Sequence, residues 1–281
     1  MTSVRPLLAS AWMGVQHDLA WTTPTLSLAL RAVAPFASAM TVSIIYWFGT
    51  TNSSGVVFSP GELAFVLVGS TLYAHVASYA WVPTIAIAEG KNLSVFPHIY
   101  LTARSTSLYV AGRTLSAFAI STVTSVAALV LAYFALGSFL NTTIPLSATP
   151  GSALLLGAAL VANIPGALGL GYLLGAYSLY ASKFEWSLPG YVAGLLMVFS
   201  GALFPTTTLP WPVSTVAYYL PYTQFIAAAR SAIVPSVGVD YAYSMVLCIL
   251  GGLLVLGASL LVYFAAERKA RKDGVIDRRM A

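Results

Sequence analysis

Long apolar runs separated by short polar breaks make up most of this chain, and the run lengths set its architecture. A helix needs ~20 apolar residues to cross ~30 Å of hydrocarbon. Six segments have that character: about Leu28–Phe48, Glu62–Ala88, Ser107–Leu136, Ser152–Ala181, Leu188–Leu203 and Tyr241–Ala266. The polar stretch Glu89–Arg104 separates the second from the third and is too short for a domain. The pattern predicts an all-α polytopic membrane protein with six transmembrane helices in one membrane domain, residues 28–266. An N-terminal segment, 1–27, precedes it and a basic tail, 267–281, follows. In that first segment Leu7, Leu8, Trp12, Val15 and Leu19 predict an amphipathic helix on the membrane surface, and no small-x-small cleavage site follows the short run Leu7–Val15.

The stretch Phe204–Asp240 breaks the rhythm. It is strongly apolar, yet Pro205, Pro210, Pro212, Pro221 and Pro235 interrupt it too often for a straight span. Irregular backbone at membrane depth needs protein or a water-filled cavity to satisfy its polar groups. The expectation is a re-entrant hairpin over 204–240, with short helices near Pro212–Tyr219 and Tyr222–Ile233. Trp211, Tyr218, Tyr219 and Tyr222 are expected at headgroup level. Arg230 is expected to bond helix-end carbonyls or lipid phosphate. Within the spans, Pro35, Pro83 and Pro165 predict kinks, and the small residues Ala167, Gly169, Gly171 and Gly175 predict close helix packing.

Composition sharpens this picture. Hydrophobic residues make up 58% and charged residues 7%, whereas a soluble domain carries about 25% charge. Every lysine and arginine except Arg230 falls at one set of span ends or in the tail. By the positive-inside rule both termini are then cytoplasmic, in a plasma or inner membrane, and Arg230 is outside. The same distribution speaks for topology rather than for binding nucleic acid. Cys248 stands alone, so no intrachain disulfide forms.

The missing chemistry also discriminates. No Asp, Glu, Lys or Arg lies away from the span ends, which disfavours an ion-coupled carrier. His75, with Tyr79 one turn later, is the pathway candidate at mid-span, although hydrogen-bonded packing suits a lone histidine better than proton relay. No carboxylate pair and no Cys/His set offers a metal site or hydrolytic centre, so neither enzyme activity nor a cofactor is expected in this chain. Gly90-Lys91 is followed by Asn92, without the upstream glycine of a phosphate-binding loop. Any uphill work must draw on a partner.

Two segments carry a resemblance. Glu89-Gly90-Lys91-Asn92-Leu93 through Phe96-Pro97 to Gly112-Arg113 resembles the inner loop of type-2 ABC exporter permeases. Gly201-Ala202-Leu203-Phe204-Pro205, then Leu209-Pro210, Leu220-Pro221-Tyr222-Thr223 and Arg230, is similar to that family's run between its last two spans. The resemblance implies a permease subunit pairing with a second copy or a paralogue, with ATP and Mg held on separate nucleotide-binding ATPase subunits. It implies a cytoplasmic coupling helix in 89–105, with Glu89, Gly90, Lys91, Leu93 and Phe96 meeting the ATPase. In two paired subunits the turns at Phe204, Pro205, Thr206, Leu209 and Pro210 are expected to meet as an apolar outer gate, and the Leu, Ala, Tyr and Phe of the spans suit an amphipathic or lipid-like cargo. The chain departs from the family where Lys91-Asn92-Leu93-Ser94-Val95 replaces an expected Thr-Leu-Glu. An ion-coupled or facilitative carrier, or a non-transporting membrane scaffold, are the competing expectations.

Overall fold

The computed structural model describes residues 4–20, 22–52, 57–92, 99, 106–180, 187–235 and 238–274. Among these residues it is helical without strands. In chain order the helices are α1 (Val4–Leu19), α2 (Pro24–Asn52), α3 (Pro60–Asn92), α4 (Thr106–Leu140), α5 (Pro150–Ala162), α6 (Ile164–Tyr180), α7 (Leu188–Phe199), α8 (Val213–Tyr219), α9 (Pro221–Ile233) and α10 (Tyr241–Lys272). Several starts are written locally. Thr149 and Ser152 form a reciprocal cap ahead of α5, with Pro150 in its first turn, and the Asp240 carboxylate accepts the Ala242 and Tyr243 N–H groups to open α10.

Among the described residues five segments are long and apolar enough to cross a membrane: α2, α3, α4, the α5–α6 pair and α10. α5 and α6 form one such unit with a break at Asn163. Pro165 lacks an N–H and its ring crowds the carbonyl four residues back, which interrupts the ladder there. The Asn163 N–H is shared between the carbonyls of Ala159 and Leu160 instead, at 3.2 and 3.1 Å. α2 and α3 run through Pro35 and Pro83 as continuous helices.

The fifth expected span differs. α7 has 12 residues, about 18 Å at 1.5 Å per residue, and stops at Phe199 although the apolar run continues to Leu203. Gly201 takes a positive φ of 66°, the left-handed conformation that ends helices and that glycine adopts without strain. The stretch 204–240 contains two short helices, α8 and α9, close to the expected bounds.

Side-chain contacts sort the helix ends into two groups. Lys91 near the end of α3 reaches the last turn of α6, and Thr106 at the start of α4 reaches Glu267 near the end of α10. At the opposite pole Tyr46 of α2 bonds Glu62 of α3 at 2.6 Å, and Tyr241 of α10 donates to the Leu155 carbonyl of α5 at 2.7 Å. The first group holds Arg31, Lys91, Arg113 and the basic end of α10, and is called the basic end; the other is the far end. α7 runs antiparallel beside α3, with the Ala193 carbonyl on the Tyr73 hydroxyl at 2.9 Å.

α3 is the central helix. Of its most apolar window 72% is buried inside the protein, against 17% for α10, so α10 keeps most of its apolar surface for lipid. The main core joins Leu63, Leu67, Leu72 and Tyr79 of α3 to Phe225 and Ile226 of α9. Where lipid is the solvent, such contacts are favoured by close packing more than by escape from water. Gly171 of α6 faces Thr114 of α4 and Pro83 of α3, while Gly169 faces Val255 of α10. A methyl at Gly171 would overlap the Thr114 hydroxyl, so the small-residue stripe serves packing within the chain.

Candidate functional site

The residues singled out by sequence lie at three levels along α3. At the basic end the Glu89 carboxylate stands 3.5 Å from His17 Nε2 of α1, both partly exposed. Gly90 is buried. Lys91 turns inward, and its ammonium donates to the carbonyls of Ser178 and Leu179, at 2.7 Å each. Those carbonyls belong to the last turn of α6, where helix C-termini leave acceptors unmatched and favour a cation. The ends of α3 and α6 are thereby pinned together. Leu93 and Phe96, with most of the expected coupling segment 89–105, lie outside the described residues.

At mid-helix His75 and Tyr79 are fully buried. Their surroundings are aromatic: the His75 ring meets Tyr79 and Phe118 edge-on with centroids 5.0 Å away, and lies 5.7 Å from Phe225 of α9. Ser121 of α4 holds His75 Nδ1 at 2.8 Å. The single Ser121 proton also has the Phe118 carbonyl within reach at 3.1 Å. If it goes there, His75 carries Nδ1–H and Nε2 is a bare acceptor; if it goes to Nδ1, Nε2–H is a bare donor. Either way Nε2 has no hydrogen-bond partner among the described residues. Asn163, at the α5–α6 break, donates to the Tyr79 hydroxyl at 3.3 Å, and the Tyr222 hydroxyl donates to the Gly166 carbonyl at 2.9 Å. Tyr222 is thus a core residue, not one of an exposed set with Trp211, Tyr218 and Tyr219. No group of three or more His, Cys, Asp and Glu side chains able to hold a metal occurs among the described residues.

At the far end Arg230 of α9 is 4% exposed, and each of its three guanidinium nitrogens donates to a backbone carbonyl. Its Nε donates to the Phe65 carbonyl of α3 at 3.0 Å, Nη1 to Gly201 at 2.7 Å and Nη2 to Ala202. The guanidinium also lies 3.4 Å over the Phe65 ring, an arrangement in which the charge meets the negative face of the ring. Gly69 makes this possible, since a Cβ there would overlap both the guanidinium and the Ala202 carbonyl. Arg230 therefore ties α9, α3 and the turn after α7 into one knot.

The expected gate residues follow that knot. Thr206–Thr208 form a single 3-10 turn bracketed by Pro205 and Leu209. Pro205 and Pro210 are exposed, and Phe204 and Leu209 are half-buried. Thr206 is buried and packs its methyl toward Gly201, so it faces its own chain. Phe204 and Pro205, with Tyr46, Glu62 and Phe65, line a far-end cavity of about 550 Å³.

Sequence reading missed Ser121 and Asn163 as partners of the His75–Tyr79 pair. A lone Asn two residues before Pro165 in an apolar run was the available signal. The inward turn of Lys91 had none, because it depends on how far α6 reaches.

Five long apolar helices around a buried, uncharged middle mark a membrane-embedded helical protein. Neither a protein-family model nor a curated protein matches the chain.

Proposed function

We propose that this chain is the permease subunit of an ATP-driven exporter of amphipathic or lipid-like cargo, working as a pair and powered by separate ATPase subunits. The basic end faces the cytoplasm on the positive-inside argument, which leaves Arg230 outside. The remaining crossing, the fifth in chain order, falls to α7, since the chain must return from the end of α6 to the start of α10. The hairpin of α8 and α9 then re-enters from the outer face.

The observation that carries the proposal is the continuity of α3. It is an unbroken helix of 33 residues, about 50 Å long. Its inner end leads into the coupling segment and is pinned to α6 through Lys91; its outer part holds Phe65 and Gly69 against Arg230. A push on the coupling segment therefore moves α3 and α6 together and reaches the 200–209 turn through the Arg230 knot. An ion-coupled carrier would need a charged or hydrated site at mid-membrane. His75 is instead sealed among Tyr79, Phe118 and Phe225, which suits a packed core better than a binding site.

The test is to isolate the tagged protein from native membranes and measure ATP hydrolysis in the isolate, with Phe96→Asp as the paired variant. The expected result is an ATPase that accompanies the native chain and is lost from the variant while the permease stays folded and inserted. Isolation of the chain without any ATPase would remove the proposal.

A further inference from the structure

The basic end contains a groove that the transport proposal does not use. It lies between α2, α3 and α4, holds about 420 Å³, and falls within the ~300–1,000 Å³ of small-molecule sites. Its walls are mostly small, with Ala34 and Pro35 from α2, Ala74 and Ala77 from α3, and Ala117 from α4; Trp81 lies along one side. At its base stand Asp18 and Arg31.

That base is built by a third face of α1. Ser10, Gly14 and Asp18, four residues apart, occupy one side of the helix. Ser10 and Gly14 pack on Gly112, Arg113 and Ser116 of α4, while Leu8, Trp12 and Met13 stay exposed. The Asp18 carboxylate then faces two guanidiniums, Arg31 at 3.3 Å and the buried Arg113 at 3.9 Å. Arg31 also donates Nε and Nη2 to the Asp18 carbonyl, at 3.2 and 2.9 Å. Among the described residues Asp18 is the carboxylate that these two guanidiniums share, while Glu89 pairs with His17 alongside. Asp18 Oδ2 and Arg113 Nε are buried without a hydrogen-bond partner among the described residues, a condition that native interiors usually relieve with water or a ligand. The Arg31 side chain is 38% exposed and so is open to an anion.

We infer that this groove holds one anionic lipid of the leaflet on the basic side, with its phosphate on Arg31 and an acyl chain along the Ala74–Ala77 wall. A headgroup hydroxyl supplies the donor that Asp18 Oδ2 lacks. The inference rests on membrane embedding and not on the exporter proposal, so a chain that binds no ATPase still shows it.

Trp81 provides the readout. The purified protein is titrated in mixed micelles with brominated phosphatidylglycerol or brominated phosphatidylcholine, and the fluorescence lost from the wild type but not from Trp81→Phe is attributed to Trp81. Half-quenching is expected at about fivefold less phosphatidylglycerol than phosphatidylcholine, the preference one basic residue gives. Arg31→Gln equalises the two lipids. Ala77→Leu, which leaves the charges intact, fills the groove and weakens Trp81 quenching by both. Inorganic phosphate at millimolar concentration leaves the phosphatidylglycerol curve in place. Equal curves in the wild type, a preference that survives Arg31→Gln, quenching unaffected by Ala77→Leu, or displacement by inorganic phosphate would each overturn the inference, the last by assigning the site to a free anion.

Discussion

Two buried arginine sites, one at each end of the bundle, are built to opposite specifications. Arg230 spends its guanidinium on three backbone carbonyls and the Phe65 ring, and Gly69 clears the space for it. Arg113 and Arg31 converge on the Asp18 carboxylate, Asp18 Oδ2 and Arg113 Nε have no hydrogen-bond partner among the described residues, and the site opens on a groove. A buried cation bonded through every nitrogen fixes a structure, because removing it strands the groups it bonded. A partly satisfied one has capacity left for something else. The far end is therefore read as a fixed joint through which α3 acts on the 200–209 turn, and the basic end as a place where a ligand completes the structure.

The largest effect should come from the joint. Arg230→Ala strands three carbonyls and should cost about 3 kcal/mol or more, seen as a lowered unfolding temperature in detergent. Gly69→Val should do comparable damage by occupying the guanidinium's space, and Arg230→Lys should recover only part, since an ammonium lacks the planar fork. If Arg230→Ala unfolds at the wild-type temperature, the contrast between the two ends collapses.

Lys91→Met comes next. It removes a cation from two carbonyls at the end of α6, and the loss should be about 1–2 kcal/mol. A cysteine pair bridging the ends of α3 and α6 should restore it, and failure of that rescue would sever the two helices mechanically. Arg31→Gln is expected to lower stability by less than about 1 kcal/mol, because its pair is partly exposed to solvent, while abolishing the lipid preference. A large loss of stability without change in lipid binding would make the basic end a structural joint like the far one. Asn163→Ala removes one intramembrane hydrogen bond to Tyr79, worth about 0.6 kcal/mol, and is the smallest change that should still register.

The parts legible in the sequence are those governed by local rules. Apolar run length gave the bounds of α2, α3 and α4 within about four residues and the start of α10, whose end runs on past the expected Ala266 to Lys272, and prolines gave α8 and α9. Apolarity misled at α7, because Ser200–Leu203 carries no charge to mark an end and the stop is set by the backbone of Gly201. It also drew attention to the exposed face of α1, with Leu8 and Trp12, and away from the Ser10–Gly14–Asp18 face that docks on α4. Arg230 was expected to meet helix-end carbonyls or lipid phosphate; its partners are instead Gly201 and Ala202 in the turn past α7 and Phe65 within α3, whose carbonyl and ring lie 165 residues away in sequence with no local pattern to mark them. Tyr222 was expected at headgroup level with Trp211, Tyr218 and Tyr219, yet one helical turn decides whether a tyrosine at the start of α9 faces out or meets Gly166.

The central claim is that α3 transmits a cytoplasmic push to the far-end turn, and cysteine cross-linking measures it most directly. Thr206 faces inward, so the probe belongs at the exposed Thr207, in a Cys248→Ser background and in membranes that retain the ATPase. Cross-linking between two copies by a short bismaleimide should be efficient at rest and fall during ATP turnover. With Phe96→Asp it should stay at the resting level whether or not ATP is present. Cross-linking that is identical with and without ATP in the otherwise native chain would contradict the account.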